Sequence, residues 1–387
     1  MRALIVEYGY SLGALAASRA LSRGGWIVGV GSPTPKGLAA SSRSCRRWHL
    51  VEPPEQGLTR FMAQTNAAIS SGNYDIVFGG GDAEVLALSY GRDSLDALVP
   101  YPPHDRLTRA FDKLDLVHAA RRAGIPTPMT LEATPDTLAA FDLPMVVKAR
   151  THWRPGMNRG PRRMPTVVCS TRAEACLRVA EIVSAGGLPI LQSRVVGQLM
   201  GVIVVAQEGG HPVVVLQQVA ERVWPPNAGD TARGRTVAVD QELAVKLQGL
   251  LSDLGWMGLA QLEFLLPEKG LAELTDFNGR FYGSMALASG AGVNLPAIWA
   301  DLYLHGTTNK VREPRTGIRY QWLEGDLRRA FAERQSGLLP DVLDCFRYAN
   351  GAVPSIGCRK DPLPAVRYAP TLALRGLKKA FTFTLAR

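Results

Sequence analysis

The sequence predicts an α/β protein: an open parallel sheet with helices on its faces, followed by lobes that mix helices with antiparallel strands. Three observations carry this. In the first hundred residues, short apolar runs alternate with stretches of helical spacing, the pattern of a parallel sheet with helical crossovers. A proline-rich break at 100–107 (PYPPHDRL) ends that alternation and marks a boundary. Beyond it, strands follow one another directly, and one hairpin carries acidic and amide side chains in the middle of an apolar strand.

Taken in order, RALIVEY reads as a strand, SLGALAASRALSRGG as a helix stopped by glycines, and WIVGVGS as a second strand. LTRFMAQTNAAISSG is a helix, YDIVFGGGDAE a strand running into a glycine-rich turn, and VLALSYGRD a helix. TRAFDKLDLVHAARRAGIP reads as one helix closed by Gly124 and Pro126. TPMTLEA and LPMVVKAR are strands around a short helix, THWRPGMNRGPRRMPTV is a basic loop, and VVCSTRAEACLRVAEIVSAGG is a strand and a helix. PILQSRVVGQLMGVIVVAQEGGHPVVVLQQVAERV gives three strands, and DTARGRTV a polar loop. DQELAVKLQGLLSDLGW is an amphipathic helix, GLAQLEFLLPEKGLAELTDFNGR a hairpin, and LPAIWADLYLHG a helix. The resulting divisions are 1–105, 106–192, 193–310 and a mixed C-terminal extension, 311–387, packing on the core.

The composition, 46% hydrophobic and 20% charged, is that of a globular protein, and no apolar run is long enough for a membrane helix. The apolar N-terminus is interrupted by Glu7 and reads as a buried strand and turn, not a leader. The expected location is the cytoplasm, without stable membrane insertion. Cys45, Cys169, Cys176, Cys345 and Cys358 are scattered and none forms a CxxC pair, which argues against a zinc site and a disulfide framework. A net charge of +10 suits anionic small molecules. No nucleic-acid-binding motif accompanies it, so nucleic acid is not an expected partner. YGYSLGA after the first strand lacks the GxGxxG spacing of a dinucleotide fingerprint.

The hairpin is the most informative segment. Side chains alternate faces along a strand, so Asp276, Asn278 and Arg280 share a face, and Glu263 on the partner strand can pair across to it. Asp and Asn are poor strand formers; their presence here points to an oxygen-rich magnesium site. Lys148 ends an apolar strand and can project its charge into a cleft. Lys113 lies on the helix after the break. In ILQSRVVG, a strand runs into a glycine turn between two lobes, where backbone donors and acceptors suit an adenine edge.

In this order and spacing the segments resemble the ATP-grasp superfamily. FDKLDLVHAARRAGIPTP is similar to its opening helix, LPMVVKAR to the strand with a second phosphate lysine, and ILQSRVVG to the interlobe hinge. GLAQLEFLL and AELTDFNGRFYGS resemble the metal-binding strands, and LASGAGVNLPAIWADLYLHG the helix that follows. The resemblance covers roughly residues 1–310 and implies an ATP-grasp fold preceded by a Rossmann-like domain. It implies that Lys113 and Lys148 neutralise ATP phosphates, and that Gln192, Arg194 and Val195 lie near the adenine. Glu263, Asp276 and Asn278 would hold magnesium, with manganese as the alternative, and Arg280 would contact the transferring phosphoryl group or acyl phosphate. Arg233 and Arg235 are candidates for holding a substrate carboxylate.

The sequence departs from the family pattern in three places. Asp276 stands where glutamate is usual, the hinge offers Gln192 and Gln198 instead of glutamate, and the loop after Lys148 carries Arg154, Arg159, Arg162 and Arg163. The implied activity is an ADP-forming carboxylate–amine ligase working through an acyl phosphate, with 151–165 as a lid and a homodimer as the family-level assembly. The alternatives are a thiol or other acceptor, and a nucleotide-binding regulatory protein without turnover.

Overall fold

The apolar runs fold into three sheets. The computed structural model describes residues 1–155, 166–226, 229–308 and 311–369. Arg159, Arg162 and Arg163, and residues 370–387 of the C-terminal extension, lie outside the described residues.

The first lobe contains β1 (Arg2–Val6), α1 (Leu12–Arg23), β2 (Ile27–Ser32), β3 (Cys45–Leu50), α2 (Leu58–Gly72), β4 (Ile76–Gly79) and α3 (Asp82–Tyr90). Its sheet is parallel, in the order β3-β2-β1-β4. The apolar residues of β1 and β4 are buried, as a sheet covered on both faces requires. Ser11 caps α1 by accepting from the Ala14 N–H at 3.1 Å. β3 is a strand beyond those expected from the sequence. Its residues, CRRWHL, are charged, and the sheet edge tolerates that because Arg46 and Arg47 face solvent.

The predicted helix after the break is two helices, α4 (His104–Phe111) and α5 (Lys113–Arg122). Asp112 separates them: its carboxylate accepts from the N–H groups of Leu114 and Asp115 at 2.9 and 3.1 Å, which starts a new helix. Next come β5 (Thr130–Glu132), α6 (Pro135–Ala140), β6 (Met145–Ala149), β7 (Val167–Cys169), α7 (Arg172–Ser184) and β8 (Pro189–Ser193). The four strands form a small antiparallel sheet, β5-β8-β6-β7, with its own core around Phe141, Met145, Val147 and Leu191.

The third lobe has β9 (Gln198–Ala206), β10 (Pro212–Trp224), β11 (Asp230–Val237), α8 (Gln241–Asp253), β12 (Gly258–Leu266), β13 (Glu273–Asn278), α9 (Ala286–Gly290) and α10 (Leu295–His305). It continues through β14 (Arg319–Gln321), α11 (Leu323–Glu333), α12 (Leu338–Ala349) and β15 (Val353–Pro354). The large sheet runs β13-β12-β9-β10-β11-β14-β15, so the C-terminal segment supplies two of its strands. DTARGRTV is strand β11, not a loop. Its arginines do not break the strand because each has a carboxylate partner: Arg233 pairs with Asp326 and Asp344, and Arg235 with Glu221.

An aromatic cluster joins the first lobe to the third. Trp299 of α10 packs against Phe78 of β4, Tyr101 and Phe281, with ring centroids 4.8 to 5.5 Å apart. Its indole N–H donates to the Pro100 carbonyl at 3.0 Å. The proline-rich break is therefore packed into the interlobe core, not a free linker. Each such ring pair contributes about 0.5–1.5 kcal/mol beyond its buried area. The cluster fixes the end of β13 against the turn after β4. All five cysteines are free thiols, and no helix among the described residues is long and apolar enough to cross a membrane.

Candidate active site

The site is assembled where the three lobes meet. β12 and β13 pair antiparallel with Glu263 opposite Asp276 and Gln261 opposite Asn278, the cross-strand juxtaposition expected from the sequence. β13 ends at Asn278, and the chain continues through Gly279 to Arg280. A Cβ at Gly279 would lie 2.2 Å from the Trp256 ring, so only glycine passes here and lets Arg280 turn back toward Asn278.

Lys113 is placed by two backbone features. It follows the Asp112 cap, and its own N–H donates to the Arg150 carbonyl at 3.1 Å, tying α5 to the end of β6. Arg150 in turn donates to the Asp112 carboxylate. The same end of β6 presents Lys148, whose ammonium crosses to the large lobe and donates to the Thr275 carbonyl of β13 at 2.9 Å. Lys113 and Lys148 are 4% and 5% exposed, so both charges are held out of bulk water beside the metal-type carboxylates.

A continuous polar chain links these groups. Asp276 Oδ1 pairs with Lys113 Nζ at 3.1 Å, and Lys113 Nζ lies 3.4 Å from His152 Nε2. His152 Nε2 is 3.6 Å from Asp82 Oδ2, and Asp82 Oδ1 accepts from Arg280 Nε. Arg280 Nη2 donates to Asn278 Oδ1 at 2.8 Å, and Asn278 Nδ2 donates to Glu263 Oε1 at 3.1 Å. Asp82 and His152 are members of the site that sequence reasoning misses. Asp82 follows the glycines after β4, at the carboxyl end of a parallel strand. That position is a usable signal, since ligands of open α/β sheets gather there.

The electrostatics follow from burial and these pairs. Burial pushes the Lys148 ammonium down to about 8, with the Lys113 charge acting in the same direction and Asp276 and Glu263 opposing it. Burial alone would raise the Asp276 carboxyl, but Lys113 and Lys148 outweigh it and hold it well below the usual carboxylate range. Burial likewise disfavours the Arg280 cation, yet Asp82 keeps it firmly charged.

Two carboxylates from facing strand positions and an amide oxygen form a hard-oxygen donor set that fits magnesium. Asn278 Oδ1 accepts from Arg280 and keeps a second lone pair for a cation. Glu263, Asn278 and Arg280 also line a cavity of about 400 Å³, together with residues 8–13 and 80–84 of the first lobe.

The other candidates are placed differently. Gln192 is buried in β8, and its amide donates to Thr130 Oγ1 at 2.9 Å. Arg194 and Val195 lie between β8 and β9, where the chain passes from the small sheet to the large one; Gln198 donates to the Ala220 carbonyl. Arg154 is exposed and directed at the Gly186 carbonyl. Arg233 and Arg235 are not among the cavity-lining residues.

A family model described as "ATP-grasp in the biosynthetic pathway with Ter operon" matches residues 219–326, the stretch that holds β11 and the β12–β13 hairpin. The L-amino acid ligase from Bacillus licheniformis superposes with a TM-score of 0.60 at 16% identity, covering 79% of this chain and 74% of that one. The chain has the ATP-grasp fold. The ATP-grasp-like arrangement also matches N5-carboxyaminoimidazole ribonucleotide synthetase from Thermus thermophilus, with a TM-score of 0.57, 18% identity and 81% coverage of both chains. The biotin carboxylase domain of the Hydrogenobacter thermophilus 2-oxoglutarate carboxylase, solved with MgADP and bicarbonate, matches with a TM-score of 0.60 at 12% identity over 82% of this chain and 73% of that one. No curated protein matches in sequence.

Proposed function

We propose that this ATP-grasp chain is an ATP-dependent ligase that joins a carboxylate to an amine through an acyl phosphate, with release of ADP and phosphate. The observation that carries the reading is the polar chain from Asp276 to Glu263. It gathers Lys113, Arg280 and a hard-oxygen donor set from three lobes, with Lys148 alongside at the Thr275 carbonyl, and Asp82, His152, Glu263, Asn278 and Arg280 of the chain line one cavity. A protein that only sensed nucleotide would not require Arg280 to be held, charged, between the donor set and the cavity.

ATP is the phosphoryl-donating substrate. Lys113 and Lys148 neutralise its phosphates, and Arg194 and Val195 offer backbone groups to the adenine. Glu263, Asp276 and Asn278 are the residues to hold magnesium, which when bound supplies neutralisation of phosphate charge. The substrate carboxylate oxygen attacks the γ-phosphorus and ADP leaves; a nitrogen then attacks the acyl carbon, phosphate leaves, and the nitrogen loses a proton. This chain supplies position and fixed positive charge for both transfers. Arg280 is pre-aimed by Asp82 and Asn278, so it need not reorganise as charge develops. The buried setting of Lys148 and Arg280 excludes the water that would hydrolyse the activated acyl group.

The test incubates purified protein with ATP, magnesium and a small-metabolite extract, against Lys148→Ala. ADP, phosphate and a new condensed mass that depend on Lys148 support the ligase. AMP with pyrophosphate would overturn the acyl-phosphate route, and wild-type turnover in Lys148→Ala would overturn the site.

A further inference from the structure

The segment after α10 crosses back from the large sheet to the first lobe and supplies Tyr320, Trp322 and Tyr368 to the cavity beside Arg280. Polar contacts fasten the crossing. The buried Asp361 carboxylate accepts from Arg19 Nε at 2.8 Å, from the Arg43 N–H at 2.9 Å and from the Ser42 hydroxyl. Arg19 also donates to the carbonyls of Ile356 and Asp361, and Arg367 to the Pro35 carbonyl at 3.2 Å. Beyond Asp361, Tyr368 packs on Leu15 and Leu38 of the first lobe, and its hydroxyl donates to Glu324 Oε2 at 2.8 Å, in the turn of α11 that follows Trp322.

The first lobe's side of the cavity is fixed as well. Glu7 Oε2 accepts from the N–H groups of Gly9 and Ser11 at 2.6 and 3.2 Å, and the Gly9 carbonyl accepts from the Leu38 N–H at 2.8 Å. Gly9 has a φ of 105°, a backbone conformation that glycine adopts without strain. The loop held in this way brings Tyr8 and Tyr10 to the cavity wall, and they are still 47% and 39% exposed. The Tyr10 and Tyr368 rings meet with centroids 6.2 Å apart and planes tilted by 46°. The first lobe and the crossing segment therefore form an aromatic corner, with much of Tyr10 uncovered.

The lining narrows the ligand in two ways. Arg280 is the only lysine or arginine among the described residues that line the cavity, so an anionic group is drawn to one end of it. The apolar part of the wall is aromatic. Among its described residues only Leu12, Pro53 and Ala83 are aliphatic, against the rings of Tyr8, Tyr10, Phe281, Trp322 and Tyr368. Such rings favour another ring, offset or edge-on, and walls already held in place lower the cost of ordering around it.

We propose that the carboxylate substrate is an aromatic acid, its carboxylate at Arg280 and its ring against Tyr10, Trp322 and Tyr368, and that Asp361 is the positioning residue that holds Tyr368 in this wall. The inference rests on the ligase reading and names the class of its acid substrate.

The test measures binding of three probes to the full chain by calorimetry: phenylacetate, cyclohexylacetate, which keeps the charge and the ring size without the flat ring, and 2-phenylethanol, which keeps the ring without the charge. Phenylacetate binds, and each of the others binds at least roughly tenfold more weakly. Tyr10→Leu and Tyr368→Leu each remove most of the preference for phenyl over cyclohexyl, while affinity for magnesium with a non-hydrolysable ATP analogue is unchanged. Asp361→Ala lowers the same preference in the otherwise native chain and adds nothing in Tyr368→Leu, the non-additivity expected of a residue that acts through Tyr368. Failure of phenylacetate to bind at millimolar concentration, equal binding of cyclohexylacetate or the alcohol, or an undiminished phenyl preference in both tyrosine variants overturns the proposal. An Asp361→Ala effect that persists in Tyr368→Leu overturns the positioning role. Should Tyr368→Leu fail to fold, Tyr10→Leu, at a partly exposed residue, decides the aromatic wall. A condensed product whose acid part is aliphatic sinks this inference and leaves the ligase reading intact, whereas phenylacetate binding without ADP formation in the extract assay sinks the ligase reading instead.

Discussion

Lys148 would make the charge of the proposed nucleotide site depend on pH. Its ammonium is buried, donates to a neutral carbonyl, and titrates near 8 in the unliganded protein. A phosphate beside it favours the charged form, so the nucleotide complex takes up a proton where the free protein has lost one. Above about 8, each further pH unit therefore weakens apparent affinity about tenfold. By pH 9.5 about 3% of free protein carries the proton, and the dissociation constant is about 30-fold higher than at pH 7, a cost of about 2 kcal/mol. The sign is fixed: affinity is highest below the depressed pKa and falls as pH rises through it. Calorimetry with magnesium and a non-hydrolysable ATP analogue, in two buffers of different ionisation enthalpy, reads both the slope and the proton uptake. Lys148→Met should bind more weakly below pH 8 and lose the slope. A flat affinity from pH 7 to 9.5 in the wild type, or the same slope in Lys148→Met, would refute the reasoning.

Two further substitutions separate chemistry from scaffold. Asp276→Ala removes the anion that Lys113 and Lys148 share; turnover should fall by roughly 100-fold or more, with an unchanged far-ultraviolet circular dichroism spectrum, and near-normal turnover would remove Asp276 from the site. Arg233→Met should leave nucleotide affinity unaltered but cost roughly 3 kcal/mol in denaturant unfolding. It strips fully buried Asp326 of one partner while Arg222 and Gln321 remain; a stable variant that loses activity would instead restore Arg233 as a substrate contact.

Where the sequence is legible, a local pattern is at odds with its surroundings. DFN in an apolar strand marks the hairpin because acidic and amide residues there need a reason, and the period of two puts Asp276 and Asn278 on one face; the register that sets Glu263 opposite Asp276 is fixed by the pairing of β12 with β13. Lys148 stands out for the same cause, as a lysine closing an apolar run. The break at Asp112 is hidden because the helical period continues through it, and only the capping bonds to Leu114 and Asp115 reveal a new helix. β3, β14 and β15 are short or charged, and pairing in the sheet, not propensity, holds them. Arg233 resembles a ligand arginine in DTARGRTV because its partner Asp326 lies 93 residues away in the chain. Asp82 and His152 belong to other lobes, and their place in the site depends on packing that no linear spacing expresses.

That packing also explains how so many buried charges coexist at the proposed phosphate site. Lys113 is paired with Asp276 and Arg280 with Asp82, so both side chains are oriented without a ligand. Such pairs restrain geometry, and incoming phosphate must compete with the carboxylates for them, which moderates the affinity these two cations can contribute. Lys148 is held differently. Its hydrogen bond goes to the Thr275 carbonyl, and burial rather than an opposing contact dominates its proton affinity. In the proposed reaction the paired cations would supply preorganised charge for the transfer step. In the proposed complex Lys148 is the one whose charge the nucleotide itself would set, which is why the pH dependence of binding, and not of folding, is the measurement that tests this architecture.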